Sequence, residues 1–290
     1  MGGHCGATGH VIAQIGREPS YYDSGMAKTS PLATLGGAVA GFREFADAVK
    51  GGVPRAKDGS AVEQDQAVTG SLVVPHGIVS GLMAVAADHL GAWAELADSP
   101  GEATLLLHSN ADYTLFRPVL EALTEVIWIL DGDTSEVRIE RALEVAKIEY
   151  RHGLALTSSL NKAKTPDEKT SAAIAALGKL IKSSAESVGL DADEFTKAPS
   201  VDPSSLTKRI AHRVPGPTLQ TLRYWAITSA HAHGQLISTL RFAVETPLES
   251  GGALFEPDEA LLAELVEFIG TLLTVAIELL NQQGYELSKA

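Results

Sequence analysis

The sequence contains a single cysteine, Cys5, among 290 residues. That excludes a disulfide framework and any zinc or iron–sulfur site built from several cysteines. Aromatic residues are scarce as well, at 6%. Positive charge is outnumbered: 23 Lys and Arg stand against 36 Asp and Glu, a formal net charge of −13. Such a balance excludes a protein that coats nucleic acid by bulk charge, although a local basic patch remains open. No basic stretch followed by an apolar run opens the chain, so a secretory signal is not expected and a cytoplasmic location is. The most apolar stretch, Phe268 to Leu280, includes Glu278 and is shorter than a bilayer span. It reads as a core helix, with no membrane contact expected.

Nucleotide-binding glycine motifs are missing too. There is no Walker A sequence, no strand–turn–helix unit around Gly36-Gly37 and no Gly-x-Ser-x-Gly elbow. P-loop, Rossmann and α/β-hydrolase chemistry are thereby excluded. Alternating runs of β-branched residues are almost absent, which argues against sheet architecture.

What the chain does have is apolar residues, 45% of the total, at helical spacing. Nearly half of its 27 glycines fall in residues 1–70. Residues 1–35 lack periodicity and are expected to be a flexible Gly-rich leader, in which Met26 is a candidate start of the native protein. A helix is expected over 36–50, closed by Gly51-Gly52, then a polar loop over 51–70. Further helices are expected over 75–98, over 102–130 with a break at Pro118, and over 133–160 behind a cap at Asp133. Others span 165–189 behind Thr165-Pro166, 203–214 ending before Pro215, 217–244, and 257–284 ending at Gly284. The expectation is an all-α, single-domain bundle of about seven or eight helices, covering residues 36–290 behind the leader.

Four groups of residues could carry chemistry. Arg117, Glu121 and Glu125 recur every four residues, so they share one helix face, and Arg138 and Arg141 lie on the next helix. Together these form either a buried charged cluster able to bind an anion or an interhelical salt-bridge network that fixes register. The segment from Arg223 to Gly234 brings Trp225, Ser229 and His233 onto one stripe, with His231 pointing elsewhere. Its histidines are natural acid/base groups, and its small residues equally suit close helix packing. Lys208, Arg209, His212 and Arg213 form a basic strip that could fold back near this segment and meet phosphate, or simply be solvated. Finally, Glu149-x-x-His152 matches half of a two-metal carboxylate motif without a second copy, and His4, Cys5 and His10 lack a fourth ligand. No metal and no cofactor are expected.

The run Tyr113 to Ala122, followed by Trp128-Ile129-Leu130 and the Arg138/Arg141 pair, resembles a group of uncharacterised actinobacterial all-helical proteins. With Tyr224, Ser229 and His233-Gly234 the chain is also similar, distantly, to HEPN-like helical domains, over about residues 75–245. The resemblance implies a helical bundle that forms a homodimer. It also implies that some members cleave RNA without metal, through an Arg and a His separated by four to six residues. Arg223 precedes His231 by seven intervening residues and His233 by nine, so the chain departs from that pattern. A non-catalytic binding or dimerisation module is the expectation. The alternative is a metal-independent ribonuclease of a defence or toxin system, with His233, His231 and Arg223 as catalytic groups. Its partner would be RNA or a nucleotide on the local basic face.

Overall fold

The computed structural model describes residues 11–14, 30–50, 55–70, 73–98, 104–108, 110–164, 167–214, 218–235, 243–247 and 253–286. Among them are ten α-helices: α1 (Pro31–Lys50), α2 (Ala61–Thr69), α3 (Ile78–Ala97), α4 (Ala111–Leu130), α5 (Ser135–Lys162), α6 (Glu168–Ser187), α7 (Ala192–Lys197), α8 (Pro203–Arg209), α9 (Thr218–Ala232) and α10 (Glu259–Gln283). A short π-helical turn, Val73–Gly77, leads into α3. The fold is an all-α bundle.

The core follows from the helical period. On α10, Leu262, Leu265, Val266, Ile269, Leu272, Leu273, Ala276, Leu279 and Leu280 are all buried, so one broad stripe packs against α1 and α4. α4 is buried on nearly every side from Val119 to Leu130, because α3, α9 and α10 all contact it. At its centre Trp93 of α3 touches Phe116 of α4 at 5.0 Å between ring centroids, and Phe42 of α1 meets Trp93 edge-on at 5.8 Å. Each such ring stabilises the fold by about 1.5–3 kcal/mol through burial. The helices Val74–Ala97 and Glu259–Gln283 are long and apolar enough to cross a bilayer, which corrects the length argument made from Phe268 to Leu280. About half of each span is buried inside the bundle.

Several boundaries differ from the sequence expectation. α1 begins at Pro31, and Leu35 is fully buried, so the globular part starts inside the expected leader. Further upstream, Val11–Gln14 (β1) pairs antiparallel with Thr104–Leu107 (β3). β3 occupies what was expected to be the start of the third helix. The expected loop over 51–70 contains Arg55–Ala56 (β2), paired with Tyr285–Glu286 (β6), and α2 behind it. α2 escapes periodicity because only Val62 and Asp65 are buried on it. Pro118 lies within α4 without ending it. α9 stops at Ala232, where Gly234 takes φ +62°. Beyond it, Ala243–Pro247 (β4) pairs with Ala253–Pro257 (β5) instead of extending the helix.

Two caps also shift. Thr134, not Asp133, accepts the Val137 N–H at the start of α5. Asp167 accepts from the Lys169 and Thr170 N–H groups at the start of α6, and Thr165, the expected cap, lies outside the described residues. In each case the residue that caps is the one in extended backbone just before the first helical turn.

Candidate functional site

The expected charged cluster is divided among three places. Arg138, on the first turn of α5, is buried and faces Asp65 of α2. Its Nε donates to Asp65 Oδ2 at 2.8 Å and its Nη2 to Asp65 Oδ1 at 2.7 Å. Nη1 donates to the Gly132 carbonyl at 3.1 Å, and Nη2 also reaches Ser135 Oγ at 3.3 Å. Every nitrogen of this guanidinium is engaged, so Arg138 ties α2 to the α4–α5 turn.

Arg117 and Glu121 pair along α4, as their spacing suggested. The Arg117 guanidinium also lies over the Trp225 ring of α9, 4.0 Å from its centroid. Burial pulls the Arg117 pKa down while Glu121 resists that shift. One turn further on, burial and then the charges of Glu121 and Glu149 push the Glu125 carboxyl up to about 8. Glu125 is thus protonated near neutral pH, which relieves like-charge repulsion in a partly dry setting. Arg117 Nη1 and Trp225 Nε1 are buried without a hydrogen-bond partner among the described residues. The space beside Trp225, about 180 Å³ in all, does not admit a water molecule. This is a packed interhelical contact, not a cleft.

The α9 residues separate as well. His231 is buried and lies flat on Tyr113 of α4, with centroids 4.4 Å apart and planes 14° apart. Its Nδ1 donates to Asn110 Oδ1 at 2.9 Å, and burial lowers its pKa. Nearby on the chain, the His108 backbone N–H donates to Asp112 Oδ2 at 2.8 Å, and the bond from Asp112 to the ring raises the His108 pKa. Arg223 is exposed and faces Glu264 of α10 at 3.5 Å. His233 is exposed beyond the end of α9, and Ser229 is half-buried. Eight residues of helix place Arg223 about 12 Å from His231 along the axis. The three residues expected to act together are therefore not brought together.

Two residues of the basic strip reach the α4–α5 turn. His212 Nε2 donates to Asp131 Oδ2 at 2.9 Å, and Arg213 Nε donates to Asp131 Oδ1. Arg209, one turn earlier, instead lies over Trp128 near the C-terminal end of α4, 5.6 Å from the ring centroid. Arg141 of α5 approaches the same ring at the same 5.6 Å and donates from Nη1 to the Trp128 carbonyl at 2.6 Å. Between them opens a cleft of about 480 Å³, walled by α5, the end of α4 and the segment from Pro199 to Arg209. Arg141 lines this cleft, whereas Arg138, in the wall of a second open space of about 540 Å³, is already tied up by Asp65 and Gly132.

The sequence reading did not single out Trp128 as a site residue, and it missed Ser200 and the Asp65 partner of Arg138. Trp128 belonged to the run that carried the family resemblance, and that was its only signal. Among the described residues no three His, Cys, Asp or Glu side chains converge as a metal site. Glu149 and His152 are both exposed. His4, Cys5 and His10 lie outside the described residues. No family model, no curated protein and no solved structure matches the chain.

Proposed function

We propose that this protein is a non-catalytic helical module, HEPN-like in kind, that works by binding or dimerisation. The observation that supports this reading most is the separate engagement of each catalytic candidate. Arg223 is held by Glu264, and His231 by Tyr113 and Asn110. His233 stands exposed beyond the helix that carries Arg223. Metal-free cleavage of RNA needs a base and a cation converging on one phosphate, so that the attacking hydroxyl loses its proton while developing charge is met. Residues bound to different neighbours do not supply that geometry.

The test is an RNA-cleavage assay with chelator present, comparing wild type with His231→Ala and His233→Ala. The reading expects no cleavage above background by any of the three. Cleavage by wild type that either substitution abolishes would establish the ribonuclease alternative. Light scattering on the same wild-type sample reports whether the module is a monomer or a homodimer.

A further inference from the structure

We propose that the cleft between Arg141 and Arg209 is a binding site for a small phosphate monoester. This deepens the reading of the protein as a binding module and rests on it. Two guanidinium groups approach one indole, each 5.6 Å from its centroid, and neither takes part in an ion pair among the described residues. Arg141 is held in place by its bond to the Trp128 carbonyl, which leaves its other nitrogen donors for a ligand. Arg209 has the ring contact alone and an exposed side chain. Burial lowers the Arg141 pKa, the charges of Asp131, Asp133 and Glu140 raise it, and the Arg209 charge lowers it, so the two guanidinium groups are near enough to feel one another.

A second observation is independent of the arginines. Ser200 Oγ, on the opposite wall, is buried and has no hydrogen-bond partner among the described residues. A buried hydroxyl left without a partner costs about 1–3 kcal/mol, which a ligand oxygen would recover. Ser205 lines the same space. Phosphate is favoured over a single carboxylate because two guanidinium groups line one cleft, and such forks grip pairs of oxygens.

The size and the remaining charges select a small molecule over a polymer. About 480 Å³ suits a phosphorylated sugar or a molecule of that bulk. Glu140, Glu144 and Asp202 line the same cleft, where they would stand against the neighbouring phosphates of a nucleic acid. Glu144 is already occupied by Lys147 Nζ at 2.7 Å and the Val201 N–H at 3.2 Å, so it does not neutralise the arginines.

Calorimetric titration of the full chain with glucose 6-phosphate, inorganic phosphate, glucose and a short single-stranded RNA tests this. Glucose 6-phosphate is expected to bind in the millimolar range or tighter, and more tightly than inorganic phosphate, with no binding of glucose. In Arg209→Gln that affinity should fall about tenfold or more with the melting temperature lowered by no more than a few degrees, because the side chain is exposed, is in no ion pair and loses only its contact with the Trp128 ring. Arg141→Lys, which keeps the charge and loses the fork, should also weaken it. The proposal is overturned if glucose 6-phosphate does not bind, if Arg209→Gln binds it as wild type does, or if the RNA binds more tightly and loses that binding in Arg209→Gln. RNA cleavage by a wild type that still binds glucose 6-phosphate through Arg209 would instead overturn the non-catalytic reading and leave the site intact.

Discussion

Arg138 and Asp65 form a two-pronged ion pair inside the bundle, with both residues at least 95% buried and N–O distances of 2.7 and 2.8 Å. The pair links α2 to the α4–α5 turn through the Gly132 carbonyl that Arg138 also holds. Removing one partner strands a charge where water cannot reach it. Asp65→Ala should therefore lose about 3–5 kcal/mol in urea unfolding. Replacing both, as Asp65→Leu with Arg138→Met, should cost much less than the two single changes together. Additive losses would mean that the two charges do not depend on each other.

Glu125 makes stability fall with pH. Its folded pKa of about 8 lies above its ordinary value of 4.5, so between those values the unfolded chain has released a proton that the folded chain keeps. Raising pH through this window favours unfolding, and the penalty is complete above the folded pKa. Glu125→Gln abolishes the titration. Because part of this side chain remains in water, the variant should be about 2 kcal/mol more stable than wild type near pH 8 and equal to it near pH 4. Urea melts at both pH values measure the difference, and an unchanged gap would contradict it.

Gly284 closes α10 at φ +86°, a left-handed conformation that disfavours any side chain. A Cβ there would also sit 2.4 Å from the Cβ of Ser60, the residue that caps α2. Gly284→Ala should cost about 2 kcal/mol or more, from backbone strain and the clash together. Gly234→Ala is the control: its φ is +62° but nothing lies within 4 Å, so only the strain of about 1–2 kcal/mol applies. Equal melting temperatures for the two variants would contradict the contact with Ser60.

Thr134 caps α5 through the Val137 N–H. Thr134→Ala should lower stability by about 1 kcal/mol, and Asp133→Ala, at an exposed turn position, by much less. Thermal denaturation of the two variants distinguishes the cap that forms from the one that the sequence spacing suggested.

The long helices were legible because burial on one face writes itself as a period near 3.6 in apolar residues, as on α4 and α10. α2 was not, since its buried face consists of Val62 and an aspartate whose partner lies 73 residues away. Asp65 reads as a solvent residue until Arg138 is beside it. The same limit hid the cleft. Arg141 was visible as a charge near an apolar stripe, but it meets Trp128 through the packing of α5 on α4, and Arg209 joins them only where α8 docks on α4. Spacing along one helix does report neighbours on that helix, and so the Arg117–Glu121 pair was foreseen correctly. It does not report which other helix faces them. That is why Arg117, Arg138 and Arg141, grouped in the sequence, occupy three environments.

The separation of Arg223 from the α9 histidine is the physical basis of the non-catalytic reading, and a histidine titration measures it directly. In wild type, NMR of the His231 ring should show a pKa below the ordinary 6.5, lowered by burial on Tyr113. Arg223→Ala should leave that value unchanged, because a cation about 12 Å away on an exposed surface is largely screened. A rise in the His231 pKa when Arg223 is removed would show the guanidinium beside the imidazole, and would contradict the account.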